Sequence, residues 1–426
     1  MLLEKISLFT TKRDFFLFLF FCLFIASYSL LIEYNNYKNL TQFDSQLLEA
    51  TVLKQYEKTK LTKKGKSKTY QVLKLKSDKG FSFYTTAKKS FMNVKAKKVK
   101  LEIFFQEMSF YEYMTGFFAF SKILYVYENP TIKENLNTYI SSLHESIDIA
   151  SIYKALYTAS PLHPRLQLSF SQLGISHLFA ISGFHLGVLS GLLFFLFKTP
   201  YTFLQNRYFP YRSYPVDSFF VIASLLFIYL VFLDTPPSLL RAYVMLLIGF
   251  ILYDRHYKIL SMWTLFLTVS LILSFSPRLF FSLGFWLSVF GVFYIFLFLI
   301  HFKNLNKIWQ FILVPFWVYL MMLPLSLYIF GNFSLYHPLS VLWTSLFSIF
   351  YPLSIVLHLI GFGNFLDNYL LWILNLNTQG EILKIPFTLI VSFIALSFLS
   401  IWKKIFAYLL LFLTFLVFIY AIYNVA

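Results

Sequence analysis

One cysteine, Cys22, stands in 426 residues, so no intramolecular disulfide can form and no cysteine-based metal site can be built. Charge is also scarce: 13% of the residues are Asp, Glu, Lys or Arg, against about 25% in soluble chains. That shortfall excludes an ordinary soluble domain. Apolar residues fill the space, with 58% hydrophobic and 22% aromatic. They gather in blocks of about 18 or more, the length a helix needs to cross a hydrocarbon layer of ~30 Å. The expected fold class is a polytopic α-helical membrane protein of about ten transmembrane helices with a small extracytoplasmic all-β module.

Acidic residues are the scarcer charge, 19 against 36 basic ones, a net charge of +17. Either a polyanionic partner or the basic cytoplasmic loops of a membrane protein accounts for such a balance. Residues 33–108 lack arginine altogether, yet hold 17 Lys and 7 acidic residues, a net of +10. Val99, Leu101, Ile103 and Phe105 alternate with polar neighbours, as do Phe81 and Phe83, and Ser77-Asp78-Lys79-Gly80 supplies a turn. At least four short strands in a small barrel or sandwich are expected there.

The boundaries follow from these shifts. Residues 1–32 form a retained first transmembrane helix, because Lys12 and Arg13 precede an apolar run that ends without a small-residue cleavage site. Residues 33–108 form the β module, and residues 109–175 interfacial or amphipathic helices, of which 110–127 has a true crossing as the alternative. Residues 176–366 are the membrane core and 367–426 the C-terminal transmembrane helices. With the amino terminus inside, Lys198, Arg207, Arg212, Arg255, Lys258, Lys303 and Lys307 fall in loops on one side, against Arg278 alone on the other. This asymmetry puts the β module outside the cytoplasm. Lys403 and Lys404 also belong inside, which requires a short or re-entrant pass near 369–376.

The string GISHLFAISGFHLG, residues 174–187, places two histidines and two serines at the mouth of an apolar helix, where polar groups face protein or water. On a continuous helix His177, Ser182 and His185 share one sector, expected wet, while Gly183, Gly187 and Gly191 form an opposite stripe suited to helix packing. Arg241 opens another apolar helix. It is expected either to pair with Asp234 or to contact phosphates. Pro236, Pro237, Pro315, Pro324, Pro338 and Pro352 point to broken helices around a cavity.

These strings, in order, resemble the ComEC family of competence proteins: residues 174–187, then Pro237-Ser238-Leu239-Leu240-Arg241-Ala242, then Ser276-Pro277 with Gly284-Phe285-Trp286-Leu287-Ser288, then Leu323-Pro324 with Phe330-Gly331-Asn332-Phe333-Ser334-Leu335. The resemblance spans about 150–360. It implies a channel for single-stranded DNA in the inner membrane during natural transformation, with an extracytoplasmic OB-like module. A periplasmic DNA receptor and cytoplasmic motor or DNA-binding proteins are the implied partners, and a homo-oligomer is open. The implied channel residues are His177, Ser182, Gly183, His185, Arg241, Gly284, Ser288, Pro324 and Gly331. The family often has Gln at Trp286 and Asn at Val341, and its long members carry a metallo-β-lactamase-like domain whose HxHxDH string does not occur here. No catalytic residue, metal site or cofactor is expected.

The module's DNA-binding candidates are Lys63, Lys64, Lys66, Lys68, Lys97 and Lys98, with Tyr70, Phe81, Phe83 and Tyr84 as stacking aromatics. Gly65-Lys66-Ser67 imitates a phosphate-binding loop but has Lys60 where the first glycine belongs. Two rival classes stand beside the channel. One is an intramembrane serine hydrolase built on Ser182 with a base such as His358, and the other a lipid or polysaccharide transporter.

Overall fold

The computed structural model describes residues 8–9, 11–61, 67–95, 97–104, 108–127, 131–376 and 380–425, without the side chains of Lys60, Leu61 and Lys68. It divides into two compact units, one of Phe16–Tyr139 with Leu271–Ser282, the other of Met1–Phe15, Ile140–Ser270 and Leu283–Ala426.

The first unit begins in α1 (Lys12–Thr41), whose head is closed reciprocally by Thr11 and Asp14. The helix continues past its apolar run because Tyr37 and Leu40 pack into the core of the β module. Strands β1 (Ser45–Leu61), β2 (Ser67–Ser77), β3 (Ser82–Ala87) and β4 (Lys98–Phe104) follow. β1 pairs with β4 through Ser45–Thr51 and with β2 from Ala50 to Leu61, with a register shift between Val52 and Lys54. Helix α2 (Phe110–Thr115) precedes β5 (Phe117–Phe118) and β6 (Phe120–Val126). β5 runs parallel to β3 and β6 antiparallel to β4, with only Ala119 between them, so the sheet closes on itself. Residues 110–127, expected at the membrane interface, thus complete the barrel instead. Their alternation of Phe117 and Ala119 inward with Phe118 and Phe120 outward is a strand pattern. Inside lie Val52, Leu73, Leu75, Phe81, Phe83, Val99, Leu101 and Ile103, each contributing roughly 1.5–3 kcal/mol on burial.

The second unit carries most of the helices. Helix α3 (Ile132–Ser142), whose first residues lie in the first unit, leads through α4 (Ile147–Thr158), α5 (Pro164–Gln172) and α6 (Ser176–Phe179) to α7 (Gly183–Tyr208). Then come α8 (Tyr214–Phe232), α9 (Pro237–Asp254), α10 (Met262–Phe275), α11 (Leu283–His301), α12 (Lys307–Phe330), β7 (Asn332–Ser334), α13 (Ser340–Leu359), α14 (Asp367–Leu374), β8 (Gly380–Ile382), α15 (Phe387–Leu399) and α16 (Lys404–Val425). Among the described residues eight helices are long and apolar enough to cross a membrane, and α10 and α15 are shorter apolar ones. The α12 and α13 prolines do not break their helices, which run on through Pro315, Pro324 and Pro352.

Strands β7 and β8 pair antiparallel, Asn332 opposite Ile382 and Ser334 opposite Gly380. The 45 residues between them therefore leave and return to one end of the bundle. Helices α13 and α14 form the two arms of that excursion, with Trp343 and Trp372 rings 6.1 Å apart. At the opposite end the His301 ring nitrogen meets the Ser400 carbonyl at 2.6 Å and the Lys404 ammonium lies over the Phe302 ring. Lys303, Lys307, Lys403 and Lys404 consequently share an end, the one from which α12 and α16 start.

Candidate functional site

The chain is not one helix from 174 to 208. It turns at Gly174, makes the single turn α6, extends through Ala180–Ser182, and only then enters α7. Gly174 has φ +70, and a Cβ there would stand 2.9 Å from the His337 ring, so the turn admits only glycine. The break is what turns the expected sectors around. His185, expected on the wet face, is 0% exposed, its ring set edgewise to Phe347 at 5.2 Å and Tyr351 at 4.8 Å. Gly187 and Gly191, expected to pack, would meet nothing within 4 Å with a Cβ added, and only Gly183 is tightly packed.

Ser182 donates its backbone N–H to His185 Nδ1 at 3.2 Å, and its hydroxyl lies 3.0 Å from the same nitrogen. A nitrogen accepting from an amide carries no proton, which leaves the neutral ring's proton on Nε2. That atom is buried, and no side chain among the described residues pairs with it. Serine and histidine are therefore in contact, but the histidine's far side meets aromatic carbon. Among the described residues no carboxylate orients it, and this weakens the hydrolase reading. His358, the other candidate base, belongs to a separate network. His177 is exposed and meets the Thr344 hydroxyl at 3.2 Å.

The four strings of the sequence converge here. The Ser238 hydroxyl donates to the Ile181 carbonyl at 2.9 Å. Arg241 Nε donates to Ser288 Oγ at 2.9 Å and Nη1 to the Met245 sulfur at 2.9 Å. The Ser334 hydroxyl donates to the Gln172 carbonyl at 2.7 Å, and the Asn332 amide to Ser171 Oγ at 3.0 Å. Segments more than a hundred residues apart in sequence thus meet around residues 171–187. Arg241 is buried without the expected Asp234 partner, its head turned toward Ser288. Gly331 ends α12 with φ +72, its position hemmed by Ile382 and the Leu383 carbonyl. Pro324 is buried in α12, and Gly284 at the head of α11 stands in open space.

A second polar cluster had no motif to announce it. His144 Nδ1 lies 2.9 Å from Asp367, its Nε2 3.1 Å from His358 Nε2, and His358 Nδ1 2.7 Å from the Ser354 carbonyl. Tyr157 donates to Ser354 Oγ at 2.8 Å, and the Tyr153 ring stacks on His144 at 4.6 Å. Three hydrogen bonds hold three protons, the number that leaves two imidazoles and one carboxyl with no net charge. Only the placing of lone polar residues in apolar surroundings hinted at this cluster, and the hint does not say which residues meet.

On the β module, Phe81 and Phe83 are core residues, 1% and 0% exposed, and cannot stack on bases. Tyr70 and Tyr84 are half-buried. Exposed aromatics among the described residues include instead Tyr56, Phe104, Phe118, Phe120 and Tyr125. Lys98 bridges Glu49 at 2.8 Å and Asp78 at 2.7 Å, so its charge is already matched. That pairing, by hydrogen bonds from Lys98 first and Tyr127 second, holds the Glu49 carboxyl below its ordinary value. Lys97 is half-buried, Lys63, Lys64 and Lys66 lie outside the described residues, and the side chain of Lys68 does too.

A family model, described as Competence protein, matches residues 158–423. No curated protein and no solved structure matches the chain. The matched region holds all four converging strings, and with well over half the chain covered, the protein belongs to the competence protein family, of the ComEC type.

Proposed function

We propose that the protein conducts single-stranded DNA across the inner membrane during natural transformation. Family membership places it in DNA uptake during competence. The observation that carries the finer reading is the meeting of four ordered strings around residues 171–187, where α9 bonds the broken entry to α7, α11 bonds Arg241 of α9, and β7 bonds Gln172 at the end of α5. Non-helical backbone such as 180–182 is tolerated at membrane depth only where protein or a water-filled path satisfies it. His177, Ser182, Gly183, His185, Arg241, Gly284 and Ser288 are the residues proposed to shape that path, with Pro324 and Gly331 fixing the end of α12.

The topology we infer runs from a cytoplasmic amino terminus through nine crossings, with α13 and α14 as a re-entrant hairpin and the lysine-rich end of the bundle in the cytoplasm. The β module then lies outside as an OB-like collector, since its sheet pairs β5 parallel to β3 and the following β6 antiparallel to β4. Backbone register sets Lys54 opposite Lys74 in the β1–β2 ribbon. Like charges facing each other across strands are unfavourable alone. A polyanion relieves them. A DNA receptor outside and a motor or DNA-binding protein inside complete the proposed pathway.

Deleting the gene should leave DNA capture at the envelope intact while chromosomal transformation falls below detection. Loss of capture together with transformation would move the protein to the receptor step, and normal transformation would end the proposal.

A further inference from the structure

Arg241 is 4% exposed, yet no carboxylate lies within salt-bridge distance of it among the described residues. Its partners are a hydroxyl, Ser288 Oγ, and a thioether, Met245 Sδ, which orient the guanidinium without cancelling its charge. Burying such a charge uncompensated is strongly unfavourable. The surroundings make it worse. Gly183 is the first residue of α7, and the Cβ it lacks would stand 2.9 Å from Arg241 Nη2. The guanidinium therefore sits at the amino end of a 26-residue helix, where the helix dipole adds roughly half a positive charge. Gly183, Met245 and Ser288 each keep exposed surface, so a small ligand can reach a charge that the helices otherwise shelter.

Two positive groups brought together, with no carboxylate in salt-bridge distance among the described residues, favour the binding of an anion. We propose that Arg241, held by Ser288 and set against the amino end of α7 at Gly183, is a binding site for one phosphate group, and that its occupant is a phosphodiester of the passing strand. This rests on the transport reading and adds to it a named point of backbone contact. The guanidinium fork matches phosphate geometry bidentately. One fixed cation reads no base, so the contact is sequence-independent. The glycine is part of the site, because any side chain at 183 would press on Nη2 and on Ala242 Cβ.

The test uses the full-length protein in a phosphate-free detergent, following its thermal unfolding midpoint against inorganic phosphate at constant ionic strength. The wild type should show a saturable rise, as a ligand of the folded state alone must produce. Arg241→Gln should lose the rise while starting from an equal or higher midpoint without phosphate, because removing an uncompensated charge relieves strain. Arg241→Lys should keep part of the response and Gly183→Ala should lose it. A purely structural arginine gives the reverse pattern, a lower midpoint in Arg241→Gln and no phosphate response in any variant, and would overturn the site. Competition then identifies the occupant. Oligothymidylate with an ordinary backbone should displace phosphate, and the uncharged methylphosphonate analogue should not. Displacement by phosphatidylglycerol but by neither oligonucleotide would make this a lipid headgroup site and overturn the strand as occupant. If phosphate binds as expected while Arg241→Gln cells transform normally, the passing strand is overturned as occupant, whereas normal transformation of the gene deletion overturns the transport reading itself.

Discussion

Arg278 was the lone basic residue on the sparse side of the sequence's charge map, and the structure gives it a partner. Its guanidinium makes a two-pronged contact with Glu33, at 2.8 and 2.7 Å, and lies 4.4 Å from the centre of the Tyr113 ring. Those three residues come from the turn before α11, the end of α1's apolar run, and α2. Both charged side chains are about four-fifths buried, 19% and 20% exposed. Removing one partner of a buried pair costs about 3–5 kcal/mol, most of it the desolvation of the survivor. Partial exposure lowers that to ~2–3 kcal/mol, and loss of the contact with the Tyr113 ring adds ~1 kcal/mol for changes at Arg278. Glu33→Gln and Arg278→Gln should therefore raise local opening of the β module ~30- to 1000-fold, at tenfold per 1.4 kcal/mol. Replacing both, as Glu33→Gln with Arg278→Met, should recover most of the loss, since no unpaired charge remains. Limited trypsin digestion of the full-length protein reads this directly through the module's many lysines, with opening fast relative to cleavage. Cleavage rates within threefold of wild type in both single variants would refute the reasoning, and so would a double variant as sensitive as the product of the singles.

Three further outcomes concern position and contact. A reporter inserted after Leu376 should be active outside the cytoplasm and one after Lys403 inside, as should those after Lys66 and Arg207 respectively; inside activity at 376 would make α13 a full crossing. His185→Ala should abolish transformation with protein level and DNA capture unchanged, whereas Ser182→Ala should reduce it only modestly. Complete loss in Ser182→Ala, with cleavage of a membrane substrate by the wild type, would revive the hydrolase. Changing Lys63, Lys64, Lys66 and Lys68 together to Gln should weaken oligonucleotide binding and flatten its log-log salt slope by up to about 3, at ~0.7 per phosphate contact. An unchanged slope returns these lysines to a solubilising role. A fourth outcome concerns pH. The folded value of Glu49 is depressed, so its contribution is present above the ordinary value of 4.5 and is lost as pH falls below it. Trypsin-independent probes such as tyrosine fluorescence should show the module loosening below that pH, less steeply in Glu49→Gln. An identical acid profile in the variant would show that Glu49 does not report the transition.

Period and composition made much of the fold legible. Long apolar blocks gave the helices because every backbone polar group must be satisfied inside lipid, which ties length to crossing. Alternation gave β3 and β4 because one face of each is buried in the barrel. Residues 117–126 escaped that logic. Their outward face carries Phe118, Phe120 and Leu124 beside a single charge, Lys122, so alternation by residue type is weak and the segment reads as interfacial.

The site was legible as a set of strings and illegible as a geometry, and one tripeptide shows why. A shared face for His177, Ser182 and His185 requires a continuous helix, and Ala180–Ser182 is extended, so helical angles do not carry across it. A sequence cannot announce that break through helix propensity, since neither alanine nor isoleucine is a breaker. What produces it is tertiary: the Ile181 carbonyl, freed from helical bonding, receives the Ser238 hydroxyl, and the Ser182 amide is taken by His185. The same contact explains why Arg241 misses Asp234. Ser238 anchored on Ile181 brings the head of α9 against Gly183, and from there the guanidinium reaches α11 and not the loop before α9. An arginine that could have been neutralised one turn away is left charged beside a helix amino end, and it is this misplaced charge, set by a hydroxyl three residues earlier, that gives the entry to α7 its affinity for an anion.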